Sequence, residues 1–343
     1  MLYIKPAFYD DFKCIADKCT DSCCVGWEIN IDNETIDVYK NMHTEFASEI
    51  RENIIGNEDN TYSFKLLEGE RCPFLNENNL CDIILNCGED NICYICKEHP
   101  RFYNDFLNVT EYGLGLCCEE VVRLLLENDE PLEFVVFNDE EEFYETDETE
   151  EENYNKLFDL RNEIFEILNT TKSYNDKIEK ILSVAEKFCG EKVELLSDNE
   201  IFEIYEKTEP INNEWIEYFE ELKKNKYEII KKETPFDINS NGDKEYSKIL
   251  FYIIFRHLIK LILIDEKSLK VCLEFCLFSV RFIKLCDMKT YCEKGVVTLK
   301  DRIDNIKRWS KQIEYSEENV ELLYDLTFNE PAFTNENLKA LVI

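Results

Sequence analysis

Eleven of the chain's sixteen cysteines fall at or before Cys118, and no other feature of the sequence restricts its fold as much. They arrive in three clusters. The first is Cys14, Cys19, Cys23 and Cys24 in CIADKCTDSCC, and the second is Cys72 and Cys81 in CPFLNENNLC. The third is Cys87, Cys93 and Cys96 in CGEDNICYIC, followed by the pair Cys117 and Cys118. Thiolates are soft ligands, and short spacings in loops rich in Gly, Asn and Asp let several converge on one metal. A four-cysteine zinc site and a four-cysteine iron–sulfur cluster both fit the count, and spacing does not choose between them. Reduced thiols packed as small hydrophobes are a poor account of so dense a set.

The opening MLYIKPAFYDDF has no basic stretch followed by an apolar one, and no long uncharged apolar run occurs. We therefore expect a cytoplasmic protein outside the membrane, where cysteines serve metal or redox chemistry rather than disulfides. The net charge of −35 repels nucleic acid and anionic membrane. It suits a basic or lysine-bearing protein partner, although charge spread over solvated faces is the simpler account.

Nine glycines and seven prolines are few for 343 residues and predict a mainly α protein. The expected architecture is a cysteine-rich metal-binding N-terminal module over 1–127, an acidic junction over 128–153 and an α-helical bundle over 154–343. Within the module, 32–55 is the best helix, with Asp32 as its N-cap and Thr35, Val38, Tyr39, Met42 and Phe46 on one stripe. A short strand pair is expected near 62–67, and PLEFVVF reads as extended. Leu157, Leu160, Ile164, Ile167 and Leu168 form an amphipathic stripe. Residues 178–188, 200–206 and 214–231 read as helices and 235–243 as a loop. The segments 246–263 and 268–285 are apolar nearly all round and read as central helices, with 299–309 and 317–326 outside them. Cys272, Cys276 and Cys286 then pack in the core, while Cys189 and Cys292 are incidental. His43, His99 and His257 read as surface or packed side chains. No P-loop, GxGxxG loop or CxxxCxxC triplet is present.

The blocks CIADKCTDSCCVGWEINID, CPFLNENNLC, CYICKEHPRFYN and LCCEEVVRLLL resemble the flagellin lysine-N-methylase family, and a wider group of CxxCxxCC-type zinc- or iron-chelating modules. LFDLRNEIFEIL, ILFYIIFRHLIK and WSKQIEYSEENVELL extend the likeness in the same order. The resemblance implies S-adenosylmethionine-dependent methylation of lysine side chains on flagellin, with a 4Fe-4S cluster. By matching positions it implies Cys14, Cys19, Cys23, Cys24, Cys72, Cys81, Cys96 and Cys118 as metal ligands, with Cys19, Cys23, Cys24 and Cys96 favoured for the cluster. Cys87, Cys93 and Cys117 fall where other small residues are expected, and His99 stands where the family-like motif has an aromatic. Trp27, Arg101 and Arg256 are the polar or aromatic residues expected to meet the cosubstrate, Arg256 because a charge on so apolar a helix needs a partner or a cavity. The competing expectation is a non-catalytic protein, stabilised by zinc or sensing metal or redox state.

Overall fold

The computed structural model describes residues 1–57, 61–138, 148–193, 195–239, 242–259 and 266–328. The strands among them are β1 (Leu2–Pro6), β2 (Asn30–Ile31), β3 (Ile54–Gly56), β4 (Tyr62–Phe64), β5 (Arg101–Phe106), β6 (Val109–Leu114) and β7 (Phe134–Asn138). The first helices are α1 (Asn33–Asn41), α2 (Ala47–Glu52), α3 (Asp82–Cys87), α4 (Tyr94–Glu98) and α5 (Glu119–Glu127). Then follow α6 (Glu148–Leu168), α7 (Tyr174–Cys189), α8 (Asp198–Tyr205), α9 (Asn213–Lys224) and α10 (Lys226–Ile230). The last are α11 (Glu233–Asn239), α12 (Gly242–His257), α13 (Glu266–Lys294), α14 (Leu299–Ile313) and α15 (Glu317–Phe328). The protein is mainly α, as its scarcity of Gly and Pro predicts, but the cysteine-rich region carries strands.

Two small sheets form. One runs β5–β6–β1–β7, with β1 parallel to β6 and antiparallel to β7. The other is antiparallel, in the order β2–β4–β3. The β5–β6 hairpin pairs Phe106 with Val109 and leaves Leu107–Asn108 as its loop. At Gly113, opposite Phe102, a Cβ would run into the Phe102 ring. That ring lies against Tyr252 and Phe255 and under the Arg256 guanidinium. Gly113→Val is therefore expected to cost about 1–3 kcal/mol by displacing Phe102, read by urea denaturation. An unchanged midpoint would show that the ring moves freely.

The large core joins the helices to β6, α5, Phe8 and Phe12. The stripe Leu157, Leu160, Ile164, Ile167 and Leu168 is buried in it, as are Cys272, Cys276 and Cys286. α13 packs against α12, α14 and α15. α14 also packs on α5, and Ile306, Trp309 and Ile313 are fully buried, so this helix is less peripheral than its polar sequence predicts. A separate small core of eleven buried residues is centred on Ile29, Tyr39, Ile50, Phe64 and Phe74. Between sheet and bundle, Glu111 on β6 and Arg161 on α6 form an ion pair shielded from solvent, with Nη1 to Oε2 at 3.0 Å.

Four sequence expectations change. The 32–55 helix is two helices, α1 and α2, interrupted at 42–46. Asp32 caps α1 as expected, accepting the Thr35 N–H at 2.9 Å. On α1, however, Ile36 and Tyr39 are buried while Val38 is 45% exposed. Residues 148–153 of the acidic junction are the first turns of α6, and 139–147 lie outside the described residues. The loop expected at 235–243 is largely helical: 233–239 are α11 and 242–243 begin α12, with 240–241 outside the described residues. Pro235 is tolerated because it sits in the first turn, where a missing N–H breaks no helical bond. The end of the 246–263 segment, from 260, also lies outside the described residues.

Candidate metal and substrate site

The three cysteine clusters and the start of α5 enclose a cavity of about 800 Å³. Cys14, Cys19, Cys23, Cys24, Cys72, Cys81, Cys96 and Cys118 all line it, and so do Cys93 and Cys117. Cys87 points elsewhere, its thiol 3.7 Å from Met42 Sδ and 3.9 Å from Thr44 Oγ1. All sixteen cysteines are free thiols.

The first loop is clipped to the bundle by charge. Lys311 Nζ meets Asp21 Oδ2 at 2.6 Å and Lys307 Nζ meets it at 3.2 Å. Glu119, which opens α5, accepts the Thr20 N–H at 2.9 Å and the Thr20 hydroxyl at 2.6 Å. Burial alone would raise both carboxyls. The two lysines at Asp21, and Thr20 with Lys307 at Glu119, hold them below their usual range. Cys19 is drawn to the same spot, its Sγ 3.7 Å from Oε2 of Glu119, the residue after Cys118.

The other thiols are placed by the backbone. The Cys72 N–H donates to the Cys24 carbonyl at 2.8 Å, and the Asp82 N–H donates to the Phe74 carbonyl at 2.8 Å, so the 72–82 loop returns with Cys81 on the same side. The Asp32 carboxylate that caps α1 also takes the Tyr94 N–H at 2.8 Å, which fixes the start of α4. There Cys93 and Cys96 stand with Sγ atoms 4.0 Å apart.

The thiols perturb one another. The hydrogen bond from Cys23 pulls the Cys24 thiol down to about 7, and that thiolate holds the Cys23 proton in place. Cys96 is pushed up by its hydrogen bond to Cys93 and by burial, with Cys24 and Cys72 adding repulsion. Burial pushes Cys72 and Cys118 up to about 12, with Cys24, Cys81 and Cys93 acting on the first and Cys117 and Cys19 on the second. Cys23, Cys72, Cys96 and Cys118 therefore keep their protons when unligated, and a bound metal must displace them. Among the described residues, no three His, Cys, Asp or Glu side chains stand as a preformed ligand group. The donor chemistry nonetheless fits a thiophilic metal or an iron–sulfur cluster: ten thiols face one space, and buried Lys307 and half-buried Lys311 stand beside it to offset thiolate charge.

An aromatic wall adjoins the thiols. Trp27, whose Nε1 donates to the Cys23 carbonyl, lies 5.8 Å from the His99 ring and 6.3 Å from the Tyr315 ring. Tyr315 Oη is 3.4 Å from His99 Nδ1. Burial and the charge of Lys311 lower His99 to about 4, so it is neutral at pH 7. Tyr315 as a residue is 40% exposed. Its hydroxyl points inward, where burial and Cys117 raise its pKa far above the ordinary range.

Arg101 also lines the cavity. It donates to the Lys97 carbonyl at 3.1 Å and lies over the Phe12 ring at 5.6 Å. Arg256 stands one layer behind. A Cβ on Gly115 would sit 3.2 Å from Cys117 Sγ and 3.3 Å from Arg256 Nη1, so glycine is what lets the wall be this thin. Arg256 Nε pairs with Glu314 Oε1 at 3.2 Å, and Nη1 donates to Tyr252 Oη at 2.8 Å, which in turn accepts the Leu116 N–H at 3.2 Å. Sequence reasoning missed Tyr315, Lys307, Lys311 and Glu314. All four lie in or beside the block at 309–323, but nothing in its spacing points to a loop nearly three hundred residues earlier.

No family model matches the chain. Part of it is similar to lysine-N-methylases. Over 133 residues, 37% of the chain, it is 29% identical to the Lysine-N-methylase proteins of Salmonella choleraesuis strain SC-B67 and Salmonella typhimurium strain LT2. The match covers 33% of each, so the chain spans about a third of the length of these relatives. The same share of the chain is 29% identical to the Flagellar biosynthetic protein FliU of Salmonella muenchen, 79% of which is covered. No solved structure matches. No helix among the described residues is long and apolar enough to cross a membrane.

Proposed function

We propose that this protein is a protein-lysine N-methyltransferase that uses S-adenosylmethionine and a 4Fe-4S cluster held in the cysteine cavity, with flagellin or another lysine-bearing protein as substrate. The observation that carries the reading is the cavity itself, where ten thiols meet an aromatic wall, in a chain similar to lysine-N-methylases.

A cluster held by these thiols would supply Lewis-acid chemistry for holding the polar end of S-adenosylmethionine. The chain's own residues do the rest. Lys307 and Lys311 balance negative charge at the thiolates and keep the first loop against α14. The faces of Trp27 and Tyr315 suit a sulfonium or an ammonium, because aromatic faces attract cations. Lysine has a solution pKa of about 10.4, so the acceptor amine must shed a proton before it attacks the methyl group. Burial among rings favours the neutral amine, so the ammonium gives up its proton to solvent as the side chain leaves water, and neutral His99, bonded to Tyr315, adds no competing positive charge there. Attack by the amine nitrogen forms the N–C bond as the sulfonium S–C bond breaks, and the sulfur leaves with the electron pair as a neutral thioether.

The test is anaerobic incubation of metal-reconstituted protein with S-adenosylmethionine and purified flagellin, read by intact mass. Methyl-sized mass steps on lysines are expected. Absence of methylation by protein that carries its full metal complement would leave a zinc-stabilised binding or redox-sensing protein as the better reading.

A further inference from the structure

We infer that the cavity thiols form two separate centres: a closed structural zinc site on Cys24, Cys72 and Cys96, completed by Cys81 or Cys93, and a second centre on Cys14, Cys19, Cys23 and Cys118.

Three observations divide the thiols this way. The first is packing. Cys24, Cys72, Cys81, Cys93 and Cys96 all belong to the small core, whereas Cys118 packs against the large core of the bundle. The second is backbone pairing. The Cys72 N–H is bonded to the Cys24 carbonyl at 2.8 Å, while the Cys19 side chain instead meets the carboxylate of Glu119, the residue after Cys118, at 3.7 Å. The third is the Cys23–Cys24 step, where the two thiols touch but have different further neighbours: Cys14 and Cys118 act on Cys23, whereas Cys24 acts on Cys72 and Cys96, so the step is where the two sets meet.

The chemistry of the two sets differs. The first lies within apolar packing. Its Cys93–Cys96 spacing of 4.0 Å is close to the ~3.8 Å between sulfurs of a tetrahedral site with Zn–S of about 2.3 Å. Eleven buried residues make a small core, and small cores commonly need a metal to hold them. The second set faces Lys307, Lys311 and the aromatic wall, where a reactive centre has room for a ligand. The favoured quartet of the sequence reading, Cys19, Cys23, Cys24 and Cys96, is thereby split between the two.

The inference rests on the cavity as a metal site but not on methyl transfer. It is tested by elemental analysis of protein prepared anaerobically with iron, sulfide and zinc. About one zinc and about four iron per chain are expected. Cys118→Ser should lose the iron and its visible absorption while retaining the zinc, and Cys96→Ser should do the reverse. Should Cys96→Ser fail to fold, zinc-edge X-ray absorption of the Cys118→Ser protein decides, with four sulfur neighbours expected. Two zinc ions and no iron would uphold the two centres and remove the cluster from the proposed function. A single metal centre per chain, or loss of zinc together with iron in Cys118→Ser, would overturn the inference.

Discussion

Glu314→Gln is expected to destabilise the protein by about 3–5 kcal/mol at pH 7, because it leaves a buried guanidinium without its counter-charge. The Glu314 side chain is fully buried and receives Arg256 Nε at 3.2 Å, His257 Nε2 at 3.2 Å and the Ser310 hydroxyl. Burial alone would raise this carboxyl, but Arg256 first, then His257 and Ser310, hold it below its ordinary 4.5. A carboxyl depressed in the folded state contributes stability that is fully present above the unfolded value. That contribution is lost as pH falls through the folded value. The gap between wild type and Glu314→Gln should therefore narrow progressively below about pH 4.5. Denaturation curves at several pH values check both points, and a gap unchanged down to pH 3 would mean that Glu314 is not the acid-sensitive partner. Because Arg256 stands behind Gly115 and Cys117, the same variant should loosen the cavity wall as well as the bundle.

A comparable loss is expected at the second buried pair. Glu111→Leu alone should cost about 3–5 kcal/mol, since Arg161 would be left charged among the rings of Phe158, Phe165 and Phe255. Adding Arg161→Met should restore most of the loss, because two apolar side chains of similar volume need no counter-charge. A double-mutant cycle measures the coupling. If Glu111→Leu were as stable as wild type, the pair would be ornamental, and β6 would be held to α6 by packing alone.

Much of the bundle was legible because its signal is local. The Leu157–Leu168 stripe repeats at three- and four-residue steps, and the apolar α12 and α13 can only be central. The cysteine clusters were legible as one site because thiols of this density have few other uses. The four-stranded sheet was hidden for two reasons. Its hairpin puts Leu107, not Gly, at the left-handed position (φ +50°) ahead of Asn108, so the usual turn signal is absent. Its central strand, β1, pairs with partners more than a hundred residues away, and no local period records that. The helix expected over 32–55 fails because Met42 and Phe46 read as continuing its stripe, when the chain turns between them to bring Phe46, at the start of α2, against Phe74. The lysine clip from α14 was beyond sequence reasoning altogether, since the contact exists only once α14 lies on α5.

The position of β1 also sets an order of events during synthesis. This strand lies between β6 and β7, so it waits unpaired while roughly a hundred further residues are made. At ~5–20 residues per second, that wait is about 5–20 s. The loop carrying Cys14, Cys19 and Cys23 lies shortly after β1, and it is tied to the later chain by Glu119 and by Lys307 and Lys311 of α14. Those thiols emerge first and find their fixed places last. A centre assembled on them is thus a late event in the life of the nascent chain, whereas the small core around Cys24, Cys72 and Cys96 is complete once residue 96 has emerged.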